Sequence, residues 1–324
     1  MAELPLLGVP NFSEGRDPAV IEALERALVD LGADGPRSAE GQRGEGPTPL
    51  PPRLLDAHSD ADHNRSVFTF SAPPRRLADA VMRAAAVAVE EIDVMGPAGE
   101  GHPQAGQHPH VGALDVAPVV YPEAALRGAA CAEALVLADR IAQELAVPVF
   151  LYGELTASDG GVPRTRAELR RGGVAGLARR MGDPEQRLVP DFGPPALHPT
   201  AGASLVAARE PLVAFNLLLA PDADIDLARS VAASIREGGE RGMPGVRAIG
   251  VLLEDRGPQV SLNVERPLEI PLAEVVAAVR RQAPVSSAEL VGLAPRAAME
   301  GFPEDVPLPG FDPRRHLLEN ALRS

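Results

Sequence analysis

The sequence predicts an α/β chain of the α+β kind, built from two split-βαβ, ferredoxin-like sandwich subdomains with mixed, antiparallel-rich sheets. Three observations carry this. A chain of 324 residues exceeds what one compact core usually organises and suits two domains of ordinary size. Apolar residues make up 45% of it, enough to fill two cores. Apolar periodicity switches between helix and strand spacing so that helix–strand–strand–helix–strand occurs once in each half. The halves match in pattern, with no residue-level repeat.

In chain order, Leu6 to Val9 reads as a short strand and Pro18 to Leu31 as a helix, with Val20, Ile21, Leu24, Ala27 and Leu28 on one face. From Asp34 to Pro52, 9 of 19 residues are Pro or Gly. Such a stretch buries no face, and it is expected to be a mobile surface insert. Leu54 to Ala57 and Ser66 to Ala72 are expected strands, Leu77 to Glu91 an Ala-rich helix, and Gly96 to Gly106 a second Gly/Pro-rich stretch. The strand Asp115 to Tyr121, the helix Glu123 to Leu145 and the strand Val147 to Tyr152 follow, then a charged, Gly-rich region with a helical piece near Arg164 to Arg171. The pattern restarts with strands at Ser204 to Ala208 and Leu212 to Leu219, a helix at Ile225 to Glu237, and strands at Val246 to Leu253 and Gln259 to Val264. A helix at Leu272 to Arg281 and a strand at Ser287 to Val291 complete it. The expected domains are 1–188, 189–300 and a tail at 301–324 with a short helix.

The formal net charge of -14 disfavours nucleic acid and anionic lipid as partners. A small anion would need a local cluster of Arg and backbone donors. The one cysteine, Cys131, allows no internal disulfide, and a reducing, cytoplasmic setting is expected; inside an Ala/Leu-rich helix it reads as a small buried residue. The N-terminus lacks a basic segment followed by an apolar run, so no signal peptide is expected, and no apolar stretch is long enough to span a membrane. No Gly-rich phosphate loop ending in Lys and Ser/Thr is present, which leaves nucleotide hydrolysis unsupported.

Five of the seven histidines fall between His58 and His110. They occupy two expected loops, one with His58, Asp60, Asp62, His63, Asn64 and Arg65, the other with His102, His108 and His110 ahead of Asp115. Ionisable groups on loops of a rigid scaffold are where sites tend to lie, and imidazole takes and gives protons near neutrality. Two other readings stand beside this one. The histidines are solvated loop residues, or His58, His63, His108 and His110 join the aspartates as ligands of a hydrolase metal, although their spacing matches no known metal signature.

Several motifs resemble those of glutamate formimidoyltransferases. They are Val9-Pro10-Asn11-Phe12-Ser13-Glu14-Gly15, His63-Asn64-Arg65-Ser66-Val67, Gly106-Gln107-His108-Pro109 with Gly112-Ala113-Leu114-Asp115-Val116, and Val149-Phe150-Leu151-Tyr152-Gly153-Glu154. The second half adds Val189-Pro190-Asp191-Phe192-Gly193-Pro194, Val213-Ala214-Phe215-Asn216, Val260-Ser261-Leu262-Asn263 and Glu289-Leu290-Val291-Gly292-Leu293-Ala294-Pro295. The similarity runs in order from about Leu4 to Ala298. The resemblance implies two subdomains with a folate tunnel between them, usually a homodimer, and tetrahydrofolate as co-substrate with no metal. The cyclodeaminase domain fused in mammalian relatives has no room in this length.

The resemblance places the family's catalytic histidine on His108. The near copy of its motif at Gly99-Glu100-Gly101-His102-Pro103 makes His102 the weaker choice. The folate-contacting stretch falls on Gly193-Pro194-Pro195-Ala196-Leu197-His198-Pro199-Thr200-Ala201-Gly202. Gln107 stands where relatives carry an acidic residue, and His110 where an Arg commonly follows, so a permanent cation gives way to a mostly neutral group. The implied reaction moves a formimidoyl group between glutamate nitrogen and N5 of tetrahydrofolate, as in histidine degradation. One imidazole between the two nitrogens could carry the proton from one to the other.

Both substrates are anionic, and Arg65 is the expected clamp, since Arg grips a carboxylate bidentately; the plain alternative pairs it with Asp60 or Asp62. Arg164 and Arg166 come second, as clamps or as an ordinary charged helix face. Asn11 and Asn64 orient substrate or cap turns. Gly193 and Gly202 permit close approach to a ligand or mark a linker bend. Asp115 or Glu154 is expected to orient an imidazole, with His63 and His110 as further site members. Phe192 or Tyr152 would stack the pterin. A different class of reading, a folate- or acid-binding homologue with weak or altered transfer, rests on Gln107 and His110.

Overall fold

The computed structural model describes residues 5–30, 51–96, 109–156, 162–185, 187–253 and 256–323. Most of the expected insert and of the second Gly/Pro-rich stretch, with His102, Gln107 and His108, lies outside them. The chain divides into two compact units between Arg209 and Glu210.

The first unit opens with β1 (Leu6–Gly8) and β2 (Asn11–Phe12). Both pair with β4 on one side and β5 on the other, so they act as one interrupted strand. Helix α1 (Pro18–Val29) starts where Asp17 accepts the backbone N–H groups of Ala19 and Val20 and Pro18 fills the first turn. Leu24 and Leu28, one turn apart, are fully buried. Strands β3 (Arg53–Asp60) and β4 (Arg65–Ala72), helix α2 (Leu77–Glu91) and strand β5 (Leu114–Val120) complete a split βαβ unit with strand order β3-β4-β1/β2-β5. Helix α3 (Arg127–Leu145) leads to β6 (Val149–Leu151); α4 (Arg166–Leu169) and α5 (Gly173–Met181) then lead to β7 (Ser204–Arg209). Strand β7 lies between β5 and β6 and is parallel to both.

Alternation along the strands fills two layers. Phe68, Phe70, Ala117, Val149, Leu151 and Val206 join the core under α1, α2 and α3. Val116, Phe150 and Leu205 point the other way, into a smaller cluster with Tyr152, just after β6, and with Leu169 and Leu177 of α4 and α5. Helix α5 was not expected, because Gly172, Gly173, Gly176 and Gly182 read as loop. Gly172 and Gly173 have φ of 76° and 60°, which turns the chain sharply into α5.

The second unit runs β8 (Val213–Leu219), α6 (Ile225–Ile235), β9 (Val246–Leu253), β10 (Gly257–Val264), α7 (Leu272–Arg280) and β11 (Val285–Val291). Its sheet order is β11-β8-β10-β9, with every neighbouring pair antiparallel. This is the split βαβ arrangement expected for both halves. Its core holds Phe215, Leu217, Val231, Val260, Leu262 and Val276. The expected tail carries two four-residue helices, α8 (Pro313–His316) and α9 (Leu318–Ala321). It is tied to this unit by Leu318 N–H to Ala294 O at 2.9 Å and Ala288 N–H to Pro307 O at 2.8 Å.

The division differs from the boundary expected near Leu188. Strand β7 completes the first sheet, and Phe192 bridges Val149 of β6. The Pro/Gly-rich stretch from Val189 to Gly202 therefore belongs to the first unit and is not a linker between the two.

Candidate active site

Four sequence segments far apart in the chain meet at one end of the first sheet. Ser13 donates through Oγ to Gly112 O at 2.7 Å and through its N–H to Ala113 O at 2.9 Å. Ser66 Oγ donates to Glu14 O at 2.5 Å, and Gly15 N–H donates to Asn64 Oδ1 at 2.9 Å. Asp60 Oδ1 accepts the His63 N–H at 2.9 Å. These bonds pin the opening motif to the β3–β4 turn and to the loop that follows His108. The backbones approach closely enough to require glycine. A Cβ on Gly15 would lie 2.4 Å from Asp60 O, and one on Gly112 would lie 1.9 Å from Ala203 O. Asn64 adopts φ 44°, a left-handed conformation that Asn tolerates. Its carbonyl caps Gly15, while the Asn11 amide donates to Val9 O at 2.9 Å. Both asparagines thus have turn-stabilising bonds, the plainer of the two roles foreseen for them.

Arg65 opens β4 beside Asp60, Asp115, Arg166 and Arg170. Burial lowers its pKa to about 10, helped by the positive charges of Arg170 and Arg166 and opposed by Asp115 and Asp60. It remains a cation at neutral pH. Among the described residues its guanidinium donates no hydrogen bond, and Nε is buried without a partner. Asp115 is committed on both oxygens: Oδ1 accepts Val111 N–H at 2.8 Å, and Oδ2 accepts Arg170. Arg170 and Asp115 are both buried. Arg164, by contrast, is neutralised by Asp191 at 2.5 Å. In the sequence Arg170 looks like one more charge on a short helix, which hides it. Its signal is its place next to buried Leu169, on the turn packed against β5.

Glu154 accepts the Tyr121 hydroxyl and, at 2.6 Å, Arg127 Nε. Among the described residues, then, neither Asp115 nor Glu154 is hydrogen-bonded to an imidazole; each is held by an arginine. His63 is buried in the β3–β4 turn, His58 lies on β3, and His110 is half-buried. The His110 carbonyl is 3.5 Å from where a Cβ on Gly173 would stand, which places this loop against the start of α5. No group of three or more His, Cys, Asp or Glu is arranged to hold a metal among the described residues.

The stretch from Gly193 to Gly202 lies along the same loop. Ala113 N–H donates to Ala201 O and Val94 N–H to Thr200 O, both at 2.9 Å. Gly193 and Gly202 have φ of 87° and 70°. A Cβ on Gly202 would be 2.4 Å from Val111 O, and one on Gly193 3.0 Å from the Ala142 Cβ. Both glycines therefore serve chain-on-chain packing. His198 and Gly202 exchange backbone bonds of 2.8 and 3.2 Å, and His198 Nδ1 accepts Ala201 N–H at 3.0 Å. That contact needs a neutral ring nitrogen, and burial holds the His198 pKa below its usual value. Pro195, Ala196 and Leu197, with Met95, Met181 and Arg187, line a cavity of about 560 Å³, within the range of small-molecule sites. Phe192 packs against the first core. The Tyr152 hydroxyl is buried with no partner among the described residues. No helix among them is long and apolar enough to cross a membrane.

The family model described as the formiminotransferase domain, N-terminal subdomain, matches residues 6–209, ending where the first unit ends. The glutamate formimidoyltransferase of Streptococcus pyogenes serotype M1 is 35% identical over 322 residues, 97% of each chain. That of Thermoplasma acidophilum is 30% identical over 322 residues, 97% of this chain and 96% of its own. The formimidoyltransferase-cyclodeaminase of Gallus gallus is 37% identical over 303 residues, 90% of this chain and 50% of that protein, so the chain spans about half the length of this bifunctional relative. With this match along nearly its whole length, the chain belongs to the formiminotransferase family of transferases.

Proposed function

We propose that the chain transfers a formimidoyl group between the nitrogen of glutamate and N5 of tetrahydrofolate. The observation that carries this is identity spread over 97% of both chains with a protein named glutamate formimidoyltransferase. Two features of the first unit support it: the half-buried Arg65 guanidinium, which makes no hydrogen bond among the described residues, for an anionic substrate, and a cavity lined by Pro195, Ala196 and Leu197 of the stretch Gly193 to Gly202. In transfer to the folate, the new bond forms at N5 and the bond from the carbon to the glutamate nitrogen breaks. N5 gives up a proton and the departing nitrogen gains one. His108 is assigned as the group that moves it, a role worth on the order of 100- to 10,000-fold in rate. Holding both substrates in line contributes much of the remainder. Asn11, Asn64, His63 and His110 are assigned to the edge of this site as part of the same reading. The reading puts the chain in histidine degradation, acting as a cytoplasmic homodimer.

A second reading keeps the site and changes the activity. Gln107 and His110 depart from the family pattern, which favours a folate- or acid-binding protein with weak or altered transfer; a formyl donor in place of formimidoyl would use the same site. Incubation of purified protein with formiminoglutamate and tetrahydrofolate separates these readings. The transferase reading expects 5-formiminotetrahydrofolate to accumulate only when both substrates are present. Folate binding without product would favour the binding protein, and absence of folate binding would remove both.

A further inference from the structure

Among the described residues, Arg65 stands near two other guanidiniums, Arg166 and Arg170, and near two carboxylates, Asp60 and Asp115. Asp115 would be a natural partner for Arg65, yet Val111 N–H at 2.8 Å and Arg170 hold its two oxygens. Arg65 is left without a hydrogen bond among the described residues, with Nε buried. A half-buried cation whose Nε has no hydrogen-bond partner is costly, and a bound anion would offset that cost. A carboxylate suits the guanidinium fork.

We infer that Arg65 binds a substrate carboxylate, and that Asp115 and Arg170 are positioning residues that hold Arg65 unpaired to receive it. Arg170 does so by occupying the carboxylate that would otherwise close on Arg65. Asp115 ties the same arrangement to the backbone of Val111, in the loop that carries His110. The identity of the carboxylate rests on the transferase reading; the existence of the anion site does not. Two sources share this chemistry, the amino-acid substrate and the glutamate tail of the folate.

The test is calorimetric titration of the full chain with glutamate, and separately with 5-formyltetrahydrofolate, alongside thermal melts. Arg65→Met is expected to melt at or above the wild-type midpoint, because it removes a half-buried charge that makes no hydrogen bond among the described residues. It should weaken one of the two ligands by on the order of 10- to 100-fold, as loss of charge-assisted bonds does, and Arg65→Lys should recover part of that. Whichever ligand weakens identifies the source of the carboxylate. Arg170→Met should weaken the same ligand with Arg65 intact, and adding Asp115→Asn, which removes the competing charge but keeps an acceptor for Val111 N–H, should restore it. Unchanged affinity for both ligands in Arg65→Met overturns the anion site. Failure of the double variant to restore affinity overturns the positioning role. If wild-type protein binds glutamate through Arg65 but transfers nothing, the transferase reading falls while the anion site stands.

Discussion

At the scale of single residues, the site depends on absent side chains as much as on present ones. Gly112 admits no Cβ, since one would stand 1.9 Å from the backbone oxygen of Ala203, and neither partner is a flexible side chain that could move aside. Gly112→Ala is therefore expected to lower stability by about 1–3 kcal/mol, read as a fall in the urea midpoint, and to reduce transfer by shifting the loop that Ser13 and Asp115 hold. A wild-type midpoint would contradict the close approach. The motif residues were legible in the sequence as motifs; what they do was not. Ser13 and Gly112 are 99 positions apart, and periodicity says nothing about contacts over that separation. Arg65 stood out from its neighbours in the sequence, but its isolation follows from Arg170 occupying Asp115, a buried contact 55 positions apart along the chain.

At the scale of elements, the His198 hairpin gives a pH signature. Burial depresses the pKa of its imidazole. As pH falls below about 6.5, the unfolded chain takes up the proton before the folded one does. The unfolded state is then favoured. The contribution is thus fully present above that pH and is lost as pH falls through the folded value. His198→Asn cannot titrate, so its thermal midpoint should drop less between pH 7.5 and pH 5 than that of wild type; an equal drop would show that the ring does not matter. The elements are legible where apolar spacing is strong, as in α2, which spans the expected Leu77–Glu91. They were read poorly where glycine disguises a helix. In α5 a Cβ on Gly176 would lie 2.3 Å from Arg171 O, so a residue that reads as loop is a packing requirement. The two-residue β2 is too short to show a period at all.

At the scale of the molecule, two units each close a split βαβ core, and their repeated element order was visible in the sequence. The dividing point was not. The stretch from Val189 to Gly202 has the composition of a linker, and only strand pairing shows that it continues the first sheet. The net charge of -14 makes a cluster of arginines around Asp115 a local exception that overall composition hides. The role assigned to His108 is tested most directly by steady-state kinetics of His108→Ala beside His102→Ala. His108→Ala is expected to lose on the order of 100- to 10,000-fold in kcat with folate affinity retained, while His102→Ala turns over normally. Near-normal turnover by His108→Ala, or a loss confined to His102→Ala, would contradict it.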